Sequence, residues 1–460
     1  KLCLSLGLCA TITAGSVGQE DELSSLDLSG EVVRGVPIGS RPPPRGLPDD
    51  TPVEDPPQAL PPPRQPELPA DPPEGAWKTD LSMSIRGGYD GNVLLQDAGA
   101  LAARQSMFTS VAPRLGLSYL PNGAKSPLVS LAYAPVLTWF HDVSSEDHVT
   151  HHLSADLNLS EGRWSFGSNH TLSWIDGSDE GLIFSAPGGG PPLGGLATRD
   201  RRDAIIYKGA VKLQYNGDGW FVRPVFNTYV HDFHTRHRST PGYQNYVDRS
   251  DTHVGADLGL KVGPDSFVTL GYRAGRQTQA DVLDVPTDYS SRYHRALVGL
   301  EAKPVSWFTF NGAIGPDFRT FTGDTPSGFD DQQVFLFANV SASVRPTDRD
   351  TVTLLITRLV QPGFGGRSAY EDTVYALTWK HVNGPFAVSL AGRAHRGEFL
   401  APVVRDDWIY TISPSVEYRF NAHAAMELGY AYELGDSRID EMPGREYERH
   451  VVYAALRLTY

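Results

Sequence analysis

A hydropathy period of two, turns that alternate between short and long, and an aromatic residue closing the last strand together predict an all-β fold. The architecture they imply is a transmembrane antiparallel up-and-down β-barrel. About 18 strands are expected, with 16 as the alternative, because each run is close to the roughly 9–11 residues that cross a bilayer when tilted. The chain is expected to divide into residues 1–18, a partial signal peptide; 19–76, a proline-rich disordered periplasmic spacer; and 77–460, the barrel.

The period is plainest near the end of the chain. Met426, Leu428, Tyr430, Tyr432 and Leu434 fall on one face of an extended segment, and Glu427, Gly429, Ala431 and Glu433 on the other. The same alternation runs through Leu153–Ser160, Val254–Val262, Tyr375–Lys380 and Tyr410–Phe420. It is least clean in the first strand and over Val334–Arg358. In a soluble sandwich the apolar face would be a core; in a barrel it meets lipid and the polar face lines the lumen. No run approaches the roughly 20 apolar residues of a membrane helix.

The turns decide between those two folds. Ser160-Glu161-Gly162, Asn216–Gly219, Gly263-Pro264-Asp265, Asn383-Gly384-Pro385 and Phe420-Asn421-Ala422 are tight hairpin signals. Gly177–Asp203 and His234–Asp248 are long and polar, and the two kinds take turns along the chain. Outer-membrane barrels have short periplasmic turns and long external loops, whereas a sandwich has no reason to sort its loops by length. An even strand number puts both termini in the periplasm. Closure follows because an open edge in hydrocarbon leaves backbone groups unpaired. Trp139, Trp164, Trp220, Trp307 and Trp408 lie near strand ends, where interfacial girdles sit.

The N-terminal run Leu2–Ile12 behind Lys1 has the length of a signal-peptide core, and cleavage near Ala14 fits the small residues that follow. A lipoprotein signal acylated at Cys9 is the alternative, disfavoured by the bulky Leu8. Cys3 and Cys9 are the chain's two cysteines. The barrel is therefore expected to need no disulfide and no thiolate metal site. Prolines in residues 19–76 forbid helix and interior strand, so this stretch reads as a spacer, with cell-wall contact as a functional alternative. It is too short and too rich in proline to be the folded plug of a TonB-dependent transporter.

The formal net charge of -14 argues against nucleic acid as a partner. No nucleophile elbow, phosphate loop or zinc-protease motif is present, so no enzymatic activity and no cofactor is expected. His148, His151 and His152, and His231, His234 and His237, include spacings of three that put neighbours on opposite faces of a strand, so no metal site is expected.

The C-terminal third resembles the β-barrel porin family of Gram-negative bacteria. The residues carrying the resemblance are Arg405-Asp406-Asp407-Trp408, Pro414-Ser415-Val416-Glu417-Tyr418, Leu428–Glu433 and Asp436-Ser437. The resemblance implies a pore-forming barrel. The final strand, with Val452, Ala454, Leu456, Leu458 and Tyr460 on one face, resembles the C-terminal signature read by the barrel-insertion machinery. Leu456, Leu458 and Tyr460 are its expected key positions.

With the apolar faces outward, the predicted pore-lining residues are Arg86, Arg114, Lys208, Lys212, Arg223, Lys261, Arg273, Arg295, Lys380, Arg393, Arg419, Arg457, Glu417 and Glu427. Lys303 completes the basic set. Fewer acids oppose it, so the lumen is expected to favour anions mildly; the alternative is that these charges pair and merely stabilise the wall. The leading expectation is an outer-membrane porin for passive diffusion of small hydrophilic solutes, surrounded by membrane lipid. A dedicated export channel that docks a periplasmic partner, and a non-conducting structural barrel, are the alternatives. Gly177–Asp203 is expected either to constrict the pore or to remain an external loop.

Overall fold

The computed structural model describes residues 77–95, 104–121, 128–176, 203–234, 247–280, 287–363, 368–401, 405–439 and 446–460. Among them the chain forms eighteen strands: β1 (Trp77–Asp90), β2 (Ser106–Tyr119), β3 (Val129–Phe140), β4 (His148–Glu161), β5 (Trp164–Asp176), β6 (Ala204–Asn216), β7 (Trp220–Phe233), β8 (Arg249–Gly263), β9 (Ser266–Gln279), β10 (Ser291–Val305), β11 (Phe308–Phe321), β12 (Gln332–Thr347), β13 (Asp350–Pro362), β14 (Ala369–Asn383), β15 (Phe386–Phe399), β16 (Arg405–Arg419), β17 (Ala424–Ile439) and β18 (Glu446–Thr459). Each pairs antiparallel with its sequence neighbours. The ladder from Ser82↔Thr459 to Asp90↔Val451 joins β1 to β18 and closes the barrel.

Turn chemistry sorts the two rims. The β4–β5 and β14–β15 connections are two residues long, and their glycines, Gly162 and Gly384, both take φ 57, a left-handed conformation costly for other residues. At β8–β9 it is Asp265 that adopts φ 42. On this rim, which also holds Trp77 and Tyr460, the β2–β3 connection (120–128) is longer than the other connections. The opposite rim carries 177–203 and 234–248. The less regular stretch Val334–Arg358 contributes to β12 and β13.

Alternation assigns the two faces of the wall. Leu258, Leu270, Val298, Ile314, Leu377 and Leu428 are exposed on the outside. Trp77, Trp164, Trp220 and Trp307 border this band near the short-turn rim, and Trp139, Trp174 and Trp408 border it near the other. So much outward apolar surface is stable only against hydrocarbon. No helix among the described residues is long and apolar enough to cross a membrane.

Proline interrupts the wall from the lipid side. Pro113, Pro135, Pro224, Pro316 and Pro414 all fall on the outward alternation. Beside Pro113 and Pro135 the β2–β3 ladder skips from Val111↔Leu137 to Leu115↔Tyr133; beside Pro414, β16–β17 skips from Ile412↔Tyr432 to Ser415↔Gly429. A residue without an N–H cannot complete the ladder.

A larger departure lies between β12 and β13. Their ladder stops at Ala338↔Arg358, although β12 remains paired with β11 as far as Thr320↔Gln332. Beyond Arg358 the β13–β14 hairpin turns away from β12 and into the mouth of the barrel. Val360, Gln361 and Pro362 on one side, and Ser368, Ala369 and Tyr370 on the other, are buried there.

Candidate functional site: the lumen wall

The register places Arg86, Arg114, Lys208, Lys212, Arg223, Lys261, Arg273, Arg295, Lys380, Arg393, Arg419 and Arg457 on the inner face, with Glu417 and Glu427. Leu456, Leu458 and Tyr460 lie on the outer face. The inner half of the lumen, toward the short turns, is open to water at Arg114 and Asp80, whereas Asp257 and Glu417 are buried among their arginines. There Arg114 Nη1 meets Asp80 Oδ2 at 2.9 Å, and the two side chains are 48% and 44% exposed. Glu417 receives Arg419 at 2.9 Å and Arg457 at 3.0 Å, and Arg457 lies 3.6 Å from Glu427. Asp257 takes Arg223 at 3.0 Å and Arg273 at 2.7 Å, while Arg223 reaches on to Glu301 three strands away. Lys261 has no ion pair among the described residues.

An aromatic side chain braces this wall. The Tyr453 hydroxyl donates to Glu427 at 2.8 Å, and the Arg86 guanidinium lies 4.3 Å from the Tyr453 ring centroid. The ring lies across Gly429, where a Cβ would come within 2.2 Å of it. Glycine is required because the phenol occupies the space a side chain would need.

The outer half differs. Asp317 holds Arg295 at 2.8 Å and Arg319 at 3.0 Å, and Arg319 also donates to Gln277 and to Ser291 Oγ. Arg405 pairs with Asp407, which also accepts from Ser437. Asp372 engages His395 and Gln361. Arg449 binds Asp90 across the closing seam, with Nε 3.0 Å from Oδ1. The Arg319 side chain is wholly buried.

Two described segments cover these pairs. The hairpin tip reaches strands four and five places back along the wall: Gln277 Nε2 on β9 donates to Val360 O at 2.8 Å, and Arg249 Nη1 on β8 donates to Pro362 O at 3.2 Å. Tyr289, Phe321, Phe335, Val360 and Ala369 pack into one cluster beneath it. Burial pushes the Tyr289 phenol, outside the strands, up to about 12. On the other side Val93 and Leu94, following β1, pack with Phe108, Phe140 and Val143 against the inward Val451 and Tyr453.

Arg249, Arg319, Arg405 and Arg449 are absent from the set read off the sequence, as are Asp317, Asp407 and Asp90. Their signal was present: Arg249/Asp251, Asp317/Arg319 and Arg405/Asp407 are opposite charges two residues apart, hence on one face. They lie beyond the apolar band, where hydropathy no longer separates a strand end from a loop.

Residues 177–202 lie outside the described residues, so Gly177–Asp203 is not placed as a constriction; the signal segment and spacer, residues 1–76, lie outside them as well. His148 and His152 point inward and His151 outward. No group of three or more potential metal ligands occurs among the described residues.

No protein-family model and no curated protein matches the chain. Solved structures with a similar barrel include OccK1 (OpdK) of Pseudomonas aeruginosa, at 9% identity over 83% of this chain and 99% of that one, TM-score 0.41. The anion-selective porin of Comamonas acidovorans is 10% identical over 84% and 100%, TM-score 0.35. The siderophore receptor PirA of Pseudomonas aeruginosa is 9% identical over 83% and 80%, TM-score 0.37. The assignment rests on the chain's own wall: a closed ladder, an outward apolar band with aromatic borders, a polar interior and loops sorted by rim. The protein is an 18-stranded antiparallel transmembrane β-barrel of the outer membrane.

Proposed function

We propose that the barrel is a water-filled channel for passive diffusion of small hydrophilic solutes, with a mild preference for anions. The observation that carries this reading is the charge of the water-exposed inner half. Basic side chains outnumber acids there, and Lys261 has no ion pair among the described residues. A cationic wall lowers the energy of an anion in the lumen and raises that of a cation. The buried pairs of the outer half are close to balanced and hold the mouth in shape. Leu456, Leu458 and Tyr460, outward on the last strand, serve as the recognition strand for the insertion machinery.

The test is single-channel conductance of the refolded protein in a planar bilayer, with the reversal potential measured under a salt gradient. Steady openings with a potential of anion-selective sign support the proposal. A cation-selective sign removes the anion preference. Silence from a correctly folded barrel removes passive diffusion.

A further inference from the structure

On the outer face of β7–β12 a row of polar side chains caps the apolar band at its external edge. It runs in direct register through Thr228, Thr252, Arg276, Arg292, Thr320 and Gln332. The next row toward the membrane centre is Phe226, Val254, Ala274, His294, Phe318 and Val334. Its one polar member, His294, has its ring nitrogen 2.6 Å from the Tyr272 hydroxyl. On β9 and β10 the outward apolar residues Leu270, Tyr272, Val298 and Leu300 lie nearer the membrane centre, and Arg276 and Arg292 lie near the outer ends of these strands, where the hydrocarbon gives way to headgroups.

Within the upper row Arg276 and Arg292 stand directly opposite each other on neighbouring strands. Both are exposed, and neither has an ion pair among the described residues. Like charges in this position repel and weaken the sheet. Among the described strands, the other outward-facing arginines near this rim are neutralised within the wall: Arg358 by Glu371 at 2.7 Å, Arg396 by Asp406 at 2.9 Å and Arg438 by Asp436 at 3.0 Å. The β9–β10 pair thus stands out as two uncompensated guanidinium groups, side by side, at headgroup height on the external leaflet.

We propose that Arg276 and Arg292 clamp a phosphate-bearing headgroup of an external-leaflet lipid, whose acyl chains lie along the apolar rows below. A phosphate monoester offers enough acceptor oxygens for two guanidinium forks, and the forks supply the donor geometry that favours it over a carboxylate-free sugar. The Thr228–Thr252 pair, with oxygens 3.0 Å apart, and Thr320 extend the polar ledge on either side for the rest of the headgroup. The proposal depends on the placement in the outer membrane and is independent of whether the lumen conducts.

The experiment uses the full chain refolded in detergent and titrated with a bisphosphorylated glucosamine-disaccharide glycolipid, with its dephosphorylated form in parallel, read by native mass spectrometry. Wild type is expected to retain the phosphorylated lipid and to bind the dephosphorylated form at least about tenfold more weakly, the loss of one to two charge-assisted contacts. The double variant Arg276→Gln/Arg292→Gln is expected to lose that preference, whereas Arg396→Gln, whose arginine is already paired, keeps it. Because both positions are surface sites, the variant should still give the folded, heat-modifiable band; were it not to fold, Arg292→Lys retains the charge, loses the fork and is expected to weaken binding part-way. Equal binding of the two lipid forms, or an unchanged double variant, overturns the proposal. So does displacement of the lipid by inorganic phosphate at equal concentration, which would make this a free-anion site.

Discussion

The two halves of the lumen wall carry the same residue types and use them differently. Toward the short turns, arginine and carboxylate meet in water, as Arg114 and Asp80 do. Toward the long loops the same pair types are sealed beneath the β13–β14 tip and the segment after β1, as Arg319 and Asp317 are. A pair in water is screened and contributes roughly 0–1 kcal/mol, because each partner is well solvated alone. A sealed pair is different: losing one partner strands a charge away from water. A pair such as Arg114 and Asp80 can therefore change its charges to suit a solute at small structural cost, whereas Asp257 and Glu417, buried among arginines, cannot. The outer half is committed to its shape.

The sharpest way to break this comparison is Arg449→Met. It leaves Asp90 buried at the closing seam and is expected to destabilise the barrel by about 3–5 kcal/mol, read as a lower urea midpoint in vesicles. A loss as small as that of an exposed pair would show that the outer half is wet. Gly429→Ala comes next, because the new methyl collides with the Tyr453 ring. About 1–3 kcal/mol is expected from overpacking, and Gly429→Ala combined with Tyr453→Ala should recover part of it. Arg114→Gln is expected to cost no more than about 1 kcal/mol while moving the reversal potential toward cations. If stability falls and selectivity stays fixed, the roles assigned to the two halves are reversed.

The smallest effect is a pH dependence of the mouth. Tyr289 has its pKa raised from 10.0 to about 12 by burial. A group whose folded pKa is raised contributes its stability in full below pH 10 and loses it as pH climbs from 10 to 12. Tyrosinate absorbance above pH 10 should lose one late-titrating phenol in Tyr289→Phe. In that variant the decline of stability over this window should be shallower.

Much of this was legible before any coordinates. The strand count, the tight turns at Gly162, Asp265 and Gly384, and the inward set from Arg86 to Arg457 follow from a period of two, because alternation assigns every side chain once one face is known. The paired arginines of the mouth were not read, since alternation names a face and says nothing of what covers it. The Arg276–Arg292 opposition was also hidden. Whether two outward arginines sixteen residues apart are neighbours depends on register, and a shift of two residues would separate them without changing either face.

The sequence by itself determined that this chain is a closed barrel, which rim has the short turns, and which residues face lipid or lumen. Those properties are local: backbone period, turn conformation and the cost of an unpaired edge in hydrocarbon dictate them. Only the tertiary structure decided that β13 parts from β12 after Arg358 and that its end reaches Gln277 and Arg249, and which charges are thereby buried. Contacts such as Arg249 with Pro362, 113 residues apart, join strands that are not neighbours in the sheet. No pairing rule within a strand or a hairpin encodes them, because they depend on the curvature of the whole wall and on what folds into its mouth.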